Sequence, residues 1–218
     1  MPSDLGGIRL MAQFFSIHPQ NPQQRLIRQA IEILNEGGVI VYPTDSCYAL
    51  GCKIGDKDAM ARIRSIRGVD EKHHFTLVCQ DLSSISHYAQ VDNRQYRLLK
   101  SSTPGSYTFI LKATREVPKR LQHPKRNTIG IRVPDNIVVQ NLLDALGEPL
   151  LSSTLLLPGD DFPLNDAESI RESLQSHVDL IIDGGACGID MTTVIDLTED
   201  PPVLLRKGNG SLSPFGMA

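Results

Sequence analysis

The chain has 218 residues, a mass of 24.0 kDa and a net charge of −3 at pH 7, and 40% of its residues are hydrophobic. These values are typical of a globular protein with one large domain, and no apolar run approaches the roughly 18 residues that a membrane-spanning helix needs. The N-terminal stretch MPSDLGGIRLMAQFF lacks the charged start and continuous apolar core of a secretory signal peptide. We therefore expect a cytoplasmic protein without a membrane span.

Short apolar, β-branched runs alternate with helical patterns along the chain. Strands are predicted at residues 13–17, 38–42, 50–54, 75–79, 107–112, 128–133, 149–153, 180–182, 193–197 and 203–206. Helices are predicted at residues 22–35, 57–66, 93–101, 137–146 and 166–175. The mixture of strand–strand and strand–helix–strand connections predicts an α/β (α+β) fold, built on a single-domain twisted open mixed sheet with helices.

The predicted domain covers residues 13–210, with residues 1–12 as an irregular lead-in or tag and residues 211–218 as a C-terminal tail. Its clearest helix is the first, because Leu26, Ala30, Ile33 and Leu34 recur at helical spacing and predict a buried stripe. Asn21 is expected to cap this helix, and the glycine pair that follows is expected to end it.

Charge is distributed unevenly along the chain. Residues 62–132 contain 14 Lys and Arg against 5 Asp and Glu, whereas residues 160–200 contain 11 acidic residues against Arg171 alone. The basic segment forms either an ordinary solvated face or a positive surface that attracts phosphate-bearing partners. Its candidate RNA-binding residues are Arg115, Lys119, Arg120, Lys125 and Arg126.

Common catalytic and metal-binding motifs are missing from the sequence. It contains no P-loop, no HExxH and no GxSxG, and its four cysteines form no CxxC pair. We therefore expect reduced, mostly buried thiols and no resident metal site. His73 and His74 are predicted to lie on a strand and to point to opposite faces, so that one contacts solvent and the other packs.

Polar side chains recur at the ends of the predicted apolar strands. Arg132 lies within such a strand, where a buried guanidinium needs an anionic partner. Hydroxyl groups beside arginines suit the binding of phosphate or carboxylate oxygens. A single Ser or Thr is more often a satisfied turn residue, but repetition at several strand ends favours a site. The candidates are Thr44, Ser46, Arg67, Thr108, Arg132, Ser152, Ser153, Thr154, Thr192, Thr193 and Arg206.

Five segments resemble motifs of the YrdC/YciO family, in family order. YPTDSCYALG is similar to the family signature, and PGSYTFIL, IGIRVPDN, PLLSSTLLLPG and TTVIDL are similar to four further motifs. The matches extend over residues 13–206, and the forms HHFTLVC and TPGSYTFIL are most similar to the YciO branch. The resemblance implies a YrdC-like fold, a twisted open sheet with a concave, positively charged surface.

The YrdC branch resembles L-threonylcarbamoyladenylate synthases. These enzymes join L-threonine, bicarbonate and ATP, with Mg²⁺ assisting, to give threonylcarbamoyl-AMP and pyrophosphate for tRNA adenosine modification. Family members are also associated with RNA, including double-stranded RNA and tRNA. A non-catalytic RNA-binding protein that uses the same basic concavity is the alternative, and a nucleotide-binding regulator or hydrolase is a third possibility.

The resemblance assigns roles to ten residues. Thr44, Arg67 and Arg132 are the catalytic candidates. The candidates for binding substrate or nucleotide are Tyr48, Ser65, Thr108, Ser152, Thr154, Thr192 and Arg206. The synthase branch has K-x-R where this chain has Ser65-Ile66-Arg67, and S-x-N where this chain has Thr154-Leu155-Leu156. Because a lysine and an amide are missing, we expect weak or divergent synthase activity.

Overall fold

The computed structural model describes residues 11–217. Within them, eleven strands form one sheet, namely β1 Gln13–Ser16, β2 Ile40–Tyr42, β3 Ala49–Lys53, β4 Thr76–Val78, β5 Ala89–Gln90, β6 Tyr107–Ala113, β7 Thr128–Arg132, β8 Leu150–Thr154, β9 Leu180–Asp183, β10 Thr193–Asp196 and β11 Val203–Arg206. The α-helices of the same residues are α1 Gln24–Asn35, α2 Lys57–Arg67, α3 Leu82–Tyr88, α4 Asn93–Ser102, α5 Ile137–Leu146 and α6 Ala167–Leu174.

The sheet is mixed, with the strand order β1-β9-β2-β3-β8-β4-β7-β6-β10-β11, and β5 pairs separately with β6. Parallel pairs such as β4 with β7 and β6 with β10 alternate with antiparallel pairs such as β3 with β8. The predicted single-domain α/β fold with a mixed sheet is thereby confirmed. The boundaries at residues 13 and 210 stay predictions, and residues 1–10 of the predicted lead-in lie outside the described residues.

Two apolar clusters cover the two faces of the sheet. The larger cluster packs α2, α3, α4 and α6 against one face. The smaller cluster packs α1 and α5 against the other face, over β1, β2, β3, β4, β8 and β9. In the part of the chain that the structure describes, this smaller cluster includes no residue of β6, β7 or β10. The α1–α5 face therefore stays open over those three strands.

The helix ends follow the sequence with one correction. Asn21 is not the N-cap of α1, because the helix begins two residues later and Gln23 occupies the capping position without a side-chain cap. The Gln23 side chain instead accepts a hydrogen bond from the backbone N–H of His18, at 3.0 Å. Helix α2 is capped as its sequence suggests, since Asp56 accepts from the N–H of Ala59 and Gly68 adopts a left-handed conformation.

The structure adds one α-helix and one strand that the prediction lacks, α3 and β5. It also corrects the placement of His73 and His74, since both precede β4 rather than lying on a strand. His73 is half-buried and hydrogen-bonded, whereas His74 is exposed and stacks on His123 with ring centroids 5.1 Å apart.

The acidic and basic segments of the chain partly neutralise each other. Arg126 pairs with the buried Asp196 at 2.7 Å, and Arg94 pairs with Asp200. The four thiols are free, and three of them are buried. Within residues 11–217, no helix has the length and apolar character needed to cross a membrane.

Candidate anion-binding site at the strand ends

The open part of the sheet forms the floor of a pocket of about 240 Å³, here called the strand-end pocket. Strand register places Ser152, Thr76, Gly130 and Ile110 side by side across β8, β4, β7 and β6. A Cβ atom at Gly130 would lie 3.3 Å from Thr76 Oγ1. Glycine at this position therefore leaves space in the pocket that a side chain would occupy. The lining residues are Cys47, Ala49, Arg67, His73, His74, Phe75, Thr76, Thr108, Ile110, Gly130, Arg132, Ser152, Ser153, Thr154, Met191, Thr192, Val194 and Arg206.

Three arginines reach this pocket from three elements. Arg67 is the last residue of α2, Arg132 the last of β7 and Arg206 the last of β11. Arg132 is only 8% exposed and is neutralised by the buried carboxylate of Asp45. In contrast, Arg67 and Arg206 form no ion pair with any residue that the structure describes. Two positive charges in the pocket are therefore uncompensated.

Neutral oxygen atoms hold these two arginines in place. Arg67 Nη1 donates to Ser153 Oγ at 3.3 Å and to the carbonyl oxygen of Thr154. Arg206 donates to Thr192, with its Nη2 3.0 Å from the carbonyl oxygen and 3.1 Å from Oγ1. The guanidinium groups are thus oriented without being neutralised.

Burial and repulsion from neighbouring arginines both lower the pKa values of these guanidinium groups. Burial lowers the pKa of Arg67 and of Arg206, and the nearby Arg206 lowers the pKa of Arg67 further. A guanidinium nevertheless stays protonated in proteins. The Nε–H groups of Arg67 and Arg132 are buried and have no hydrogen-bond partner among the described residues. Because buried donors are nearly always paired, these unused groups suit an anionic ligand.

Hydroxyl groups extend the donor set across the floor. Thr108 Oγ1 and Thr192 Oγ1 lie 2.9 Å apart, which links β6 to the segment before β10. Ser152 Oγ lies 2.6 Å from the hydroxyl oxygen of Tyr42. Burial raises the pKa of Tyr42 to about 12, so this phenol stays protonated at neutral pH. Thr108, Thr192 and Ser152 are all predicted site residues that the structure brings together with Arg67, Arg132, Thr154 and Arg206.

Three of the ten residues to which the resemblance assigns roles do not line the strand-end pocket, and neither do the candidates Ser46 and Thr193. Thr44 stabilises its own turn, since its Oγ1 donates to the Cys47 carbonyl oxygen at 2.7 Å and accepts from the Ser46 N–H at 3.1 Å. Tyr48 is fully buried, and its hydroxyl donates to the carbonyl oxygen of Gly185 at 2.7 Å. Ser65 lies on the exposed face of α2. Thr44 and Tyr48 shape the loop, and Ser65 faces solvent.

Sequence reasoning missed two residues that contribute to the site, Asp45 and His73. Asp45, the carboxylate of the YPTDS motif, pairs with Arg132 and also accepts from the N–H of Asp135 at 3.1 Å. His73 Nε2 lies 3.0 Å from Ser153 Oγ. Burial, reinforced by Arg67 and Arg64, lowers the pKa of His73 to about 4. Two sequence features could have indicated these residues, namely the acidic residue of the YPTDS motif for Asp45 and the HHF sequence before β4 for His73.

A second cavity of about 590 Å³ adjoins the pocket and shares His73, His74 and Phe75 with it. We call it the basic groove. Its charged lining residues are Arg64, Lys72, Lys119, Arg120 and Lys125, with Glu71 as the acid. Of the candidate RNA-binding residues, Arg126 instead pairs with Asp196 and Glu199, and Arg115 is exposed outside the groove.

The pocket side chains do not fit a Mg²⁺ site of their own. This ion prefers carboxylate oxygens and water. Asp45, the carboxylate that contacts Arg132, already accepts hydrogen bonds from that guanidinium and from the backbone N–H of Asp135. Across residues 11–217, no group of three or more His, Cys, Asp or Glu is arranged to hold a metal.

Comparison with known proteins gives consistent results. The family model Sua5_yciO_yrdC, described as "Telomere recombination", matches residues 32–208. YciO of Escherichia coli K12 is 61% identical over 205 residues, which cover 94% of this chain and all of YciO, and the E. coli YciO crystal structure has a TM-score of 0.90.

Similarity to synthases is lower but extends over most of the chain. A threonylcarbamoyl-AMP synthase of Pyrococcus abyssi is 29% identical over 184 residues, which cover 84% of this chain and 54% of the synthase. The crystal structure of P. abyssi Sua5 complexed with L-threonine has a TM-score of 0.82 at 26% identity, and covers 89% of this chain and 57% of that one. The chain thus spans slightly more than half the length of these relatives.

Proposed function

The chain belongs to the Sua5/YciO/YrdC family, and we propose that its strand-end pocket binds an adenine nucleotide and L-threonine as a weak or divergent threonylcarbamoyl-AMP synthase. One observation carries the proposal. Arg67 and Arg206 bring two uncompensated charges to a pocket in which buried Nε–H donors of Arg67 and Arg132 have no partner among the described residues. Such a donor set suits phosphate and carboxylate oxygens.

The pocket residues have separate roles in this proposal. Arg206 and Arg67, which both line the pocket, bind the phosphates of ATP and stabilise the charge that develops as pyrophosphate leaves. Arg132 offers its unused donor to the carboxylate of threonine. Thr108 and Thr192 donate hydroxyl hydrogens to substrate oxygens. The protein mainly orients the carbamate of threonine, formed with bicarbonate, for attack on the α-phosphorus.

Weak activity is expected because no lysine lines the pocket. Its lining cations are the three arginines, and Ser65 is exposed on α2. Leu156, at the position of the synthase asparagine, also lies outside the lining residues. Each missing charge-assisted hydrogen bond removes about 1.5–3 kcal/mol of binding, or roughly tenfold to a hundredfold in affinity.

The direct test is incubation of the purified protein with L-threonine, bicarbonate, ATP and Mg²⁺. Mass spectrometry should detect threonylcarbamoyl-AMP, and a coupled assay should detect pyrophosphate in equal amount. Omission of threonine should abolish both signals, and Arg67→Met should reduce both. Absence of product, together with no calorimetric binding of ATP or AMP, would refute the proposal, whereas binding without product would leave only the nucleotide site.

A second candidate function, RNA binding, is supported by the basic groove. One cavity, which adjoins the strand-end pocket, is lined by Arg64, Lys72, Lys119, Arg120 and Lys125. Several phosphates of a double-stranded RNA or tRNA could be neutralised there, and binding would weaken steeply as salt rises. Sequence preference should be slight, since few side chains of the groove suit base recognition.

Fluorescence anisotropy with a double-stranded RNA at several salt concentrations tests this function. The triple substitution Lys119→Ser, Arg120→Ser and Lys125→Ser should lower affinity and flatten the salt dependence. Arg115→Ser is the single-charge control, because Arg115 is exposed and does not line the groove. An unchanged affinity and salt slope in the folded triple variant would remove RNA binding from this surface.

A further inference from the structure

Ser153 and His73 form a hydrogen-bonded pair in the wall of the strand-end pocket. Ser153 lies on β8 and is 5% exposed, and His73 lies in the segment before β4. The Ser153 Oγ to His73 Nε2 distance is 3.0 Å. Both residues line the pocket, so a ligand in the pocket could reach the serine oxygen.

The hydrogen bond from the neighbouring arginine is compatible with a serine that donates its hydrogen to His73. Arg67 Nη1 donates to Ser153 Oγ at 3.3 Å, so the serine oxygen accepts from the guanidinium. The serine hydrogen is then available to Nε2 of a neutral His73. The ring of His73 is also held by an edge contact with Phe75, at 5.6 Å between centroids.

The surroundings of His73 keep its imidazole neutral. Burial is the main cause of its lowered pKa, the nearby Arg67, Arg64 and His74 lower the pKa further, and Asp70 raises it. A neutral imidazole beside a serine hydroxyl is the arrangement of an activated nucleophile and its base. The adjacent guanidinium would stabilise negative charge as it develops on the attacked group.

We propose that Ser153 is a nucleophile, activated by His73, toward small anionic acyl phosphates that bind in the strand-end pocket. The three arginines select for the phosphate, which is also the leaving group. This activity requires neither ATP nor threonine, and it does not depend on the synthase reaction.

The proposed reaction has two balanced steps. Ser153 Oγ attacks the acyl carbon, its proton moves to His73 Nε2, and the C–O bond to phosphate breaks. The proton then passes to the departing phosphate, which leaves an acyl ester on Ser153. In the second step water attacks this ester while His73 accepts a proton, and the products are a carboxylate, a released proton and regenerated Ser153.

Acetyl phosphate is a suitable probe because it is a small anion with an activated acyl group. Wild-type protein should release phosphate above the spontaneous rate, and peptide mass spectrometry after a brief exposure should locate an acetyl group on Ser153. Ser152, on the same strand and in the same pocket, is an internal control that should stay unmodified, because its hydroxyl contacts Tyr42 and the carbonyl oxygen of Leu50.

Three variants separate the nucleophile from its base. Ser153→Ala should abolish catalysed phosphate release, and Ser153→Cys should restore acyl transfer to that position. In the protein with Ser153 intact, His73→Asn should slow catalysed phosphate release by about a hundredfold or more, the range typical of a general base. Circular dichroism and thermal melting confirm that each variant is folded.

Each result of these experiments either supports or overturns the proposal that Ser153 is a nucleophile. Catalysed release that is lost in Ser153→Ala and His73→Asn and recovered in Ser153→Cys supports the proposal, even when the ester is too short-lived to trap. Acetylation confined to lysines, release that is unchanged in both folded variants, or Ser153 acetylation that is independent of His73 overturns it. None of these results depends on nucleotide binding, so failure here would leave the synthase proposal standing.

Discussion

Replacement of Arg67 by methionine tests the charge of the strand-end pocket with the least change in side-chain volume. The substitution removes one of the two guanidinium groups that have no carboxylate partner among the described residues. It also removes the donors to Ser153 Oγ and to the Thr154 carbonyl oxygen. Ligand affinity and folding stability should therefore both decrease, and the two decreases can be measured separately.

The expected loss of ATP affinity follows from the contacts that the guanidinium provides. A hydrogen bond to a charged group contributes about 1.5–3 kcal/mol, which corresponds to roughly a tenfold to hundredfold weaker Kd. Arg67 is half-buried, so partial solvent screening favours the lower part of this range. Loss of the partner of a carbonyl oxygen costs about 1–3 kcal/mol of stability, and Tm should fall by about 2–4 °C for each kcal/mol.

Isothermal titration calorimetry with ATP measures the first effect and differential scanning calorimetry the second. Arg97→Met is the matched control, since it removes the same charge from an exposed residue of α4 outside the pocket. It should leave Kd within a factor of about two, because exposed charges are largely screened. An unchanged Kd for folded Arg67→Met would mean that the guanidinium makes no contact with the nucleotide, and would refute the reasoning.

Three further predictions concern the groups around the site. Asp45→Asn leaves the buried Arg132 without its carboxylate, so scanning fluorimetry should show a loss of about 3–5 kcal/mol, and an unaltered Tm would contradict the ion pair. Burial lowers the pKa of His73 to about 4 in the folded protein, from 6.5 in the unfolded chain. Stability should therefore fall as pH drops from about 6.5 to about 4, and His73→Asn should lessen this fall in thermal melts. Arg126→Ser should lower Tm more than Arg115→Ser, because only Arg126 pairs with the buried Asp196, and equal melting would count against that pair.

The sequence predicted most of the sheet because its strands are apolar runs that are buried where the pattern indicates. The two elements it missed lack such a pattern. Helix α3 has the sequence LSSISHY, whose three serines disfavour a helix interior. The helix forms because Asp81 caps it and Ile85 is fully buried. Strand β5 has only two residues and is defined by its pairing with β6.

The sequence predicted several residues of the site, but it did not predict which side chains form ion pairs or hydrogen bonds with them. An arginine in the apolar strand β7 implied a buried charge, and Arg132 is indeed 8% exposed. Its partner Asp45 lies 87 positions away in the chain. Only the folded arrangement of the YPTDS turn against the end of β7 brings them together. The same applies to Ser153 and His73, which meet although they are 80 positions apart.

Ser65 illustrates how helix periodicity limits what motif spacing can assign. The buried residues of α2 are Ala59, Met60, Ile63 and Ile66, which recur at intervals of three and four. Ser65 falls outside this stripe, so the periodicity alone predicts the exposure that the structure shows. Arg67 enters the pocket because it ends the helix, where the chain turns at Gly68. The K-x-R spacing therefore places Arg67 in the pocket and Ser65 on the exposed face of α2.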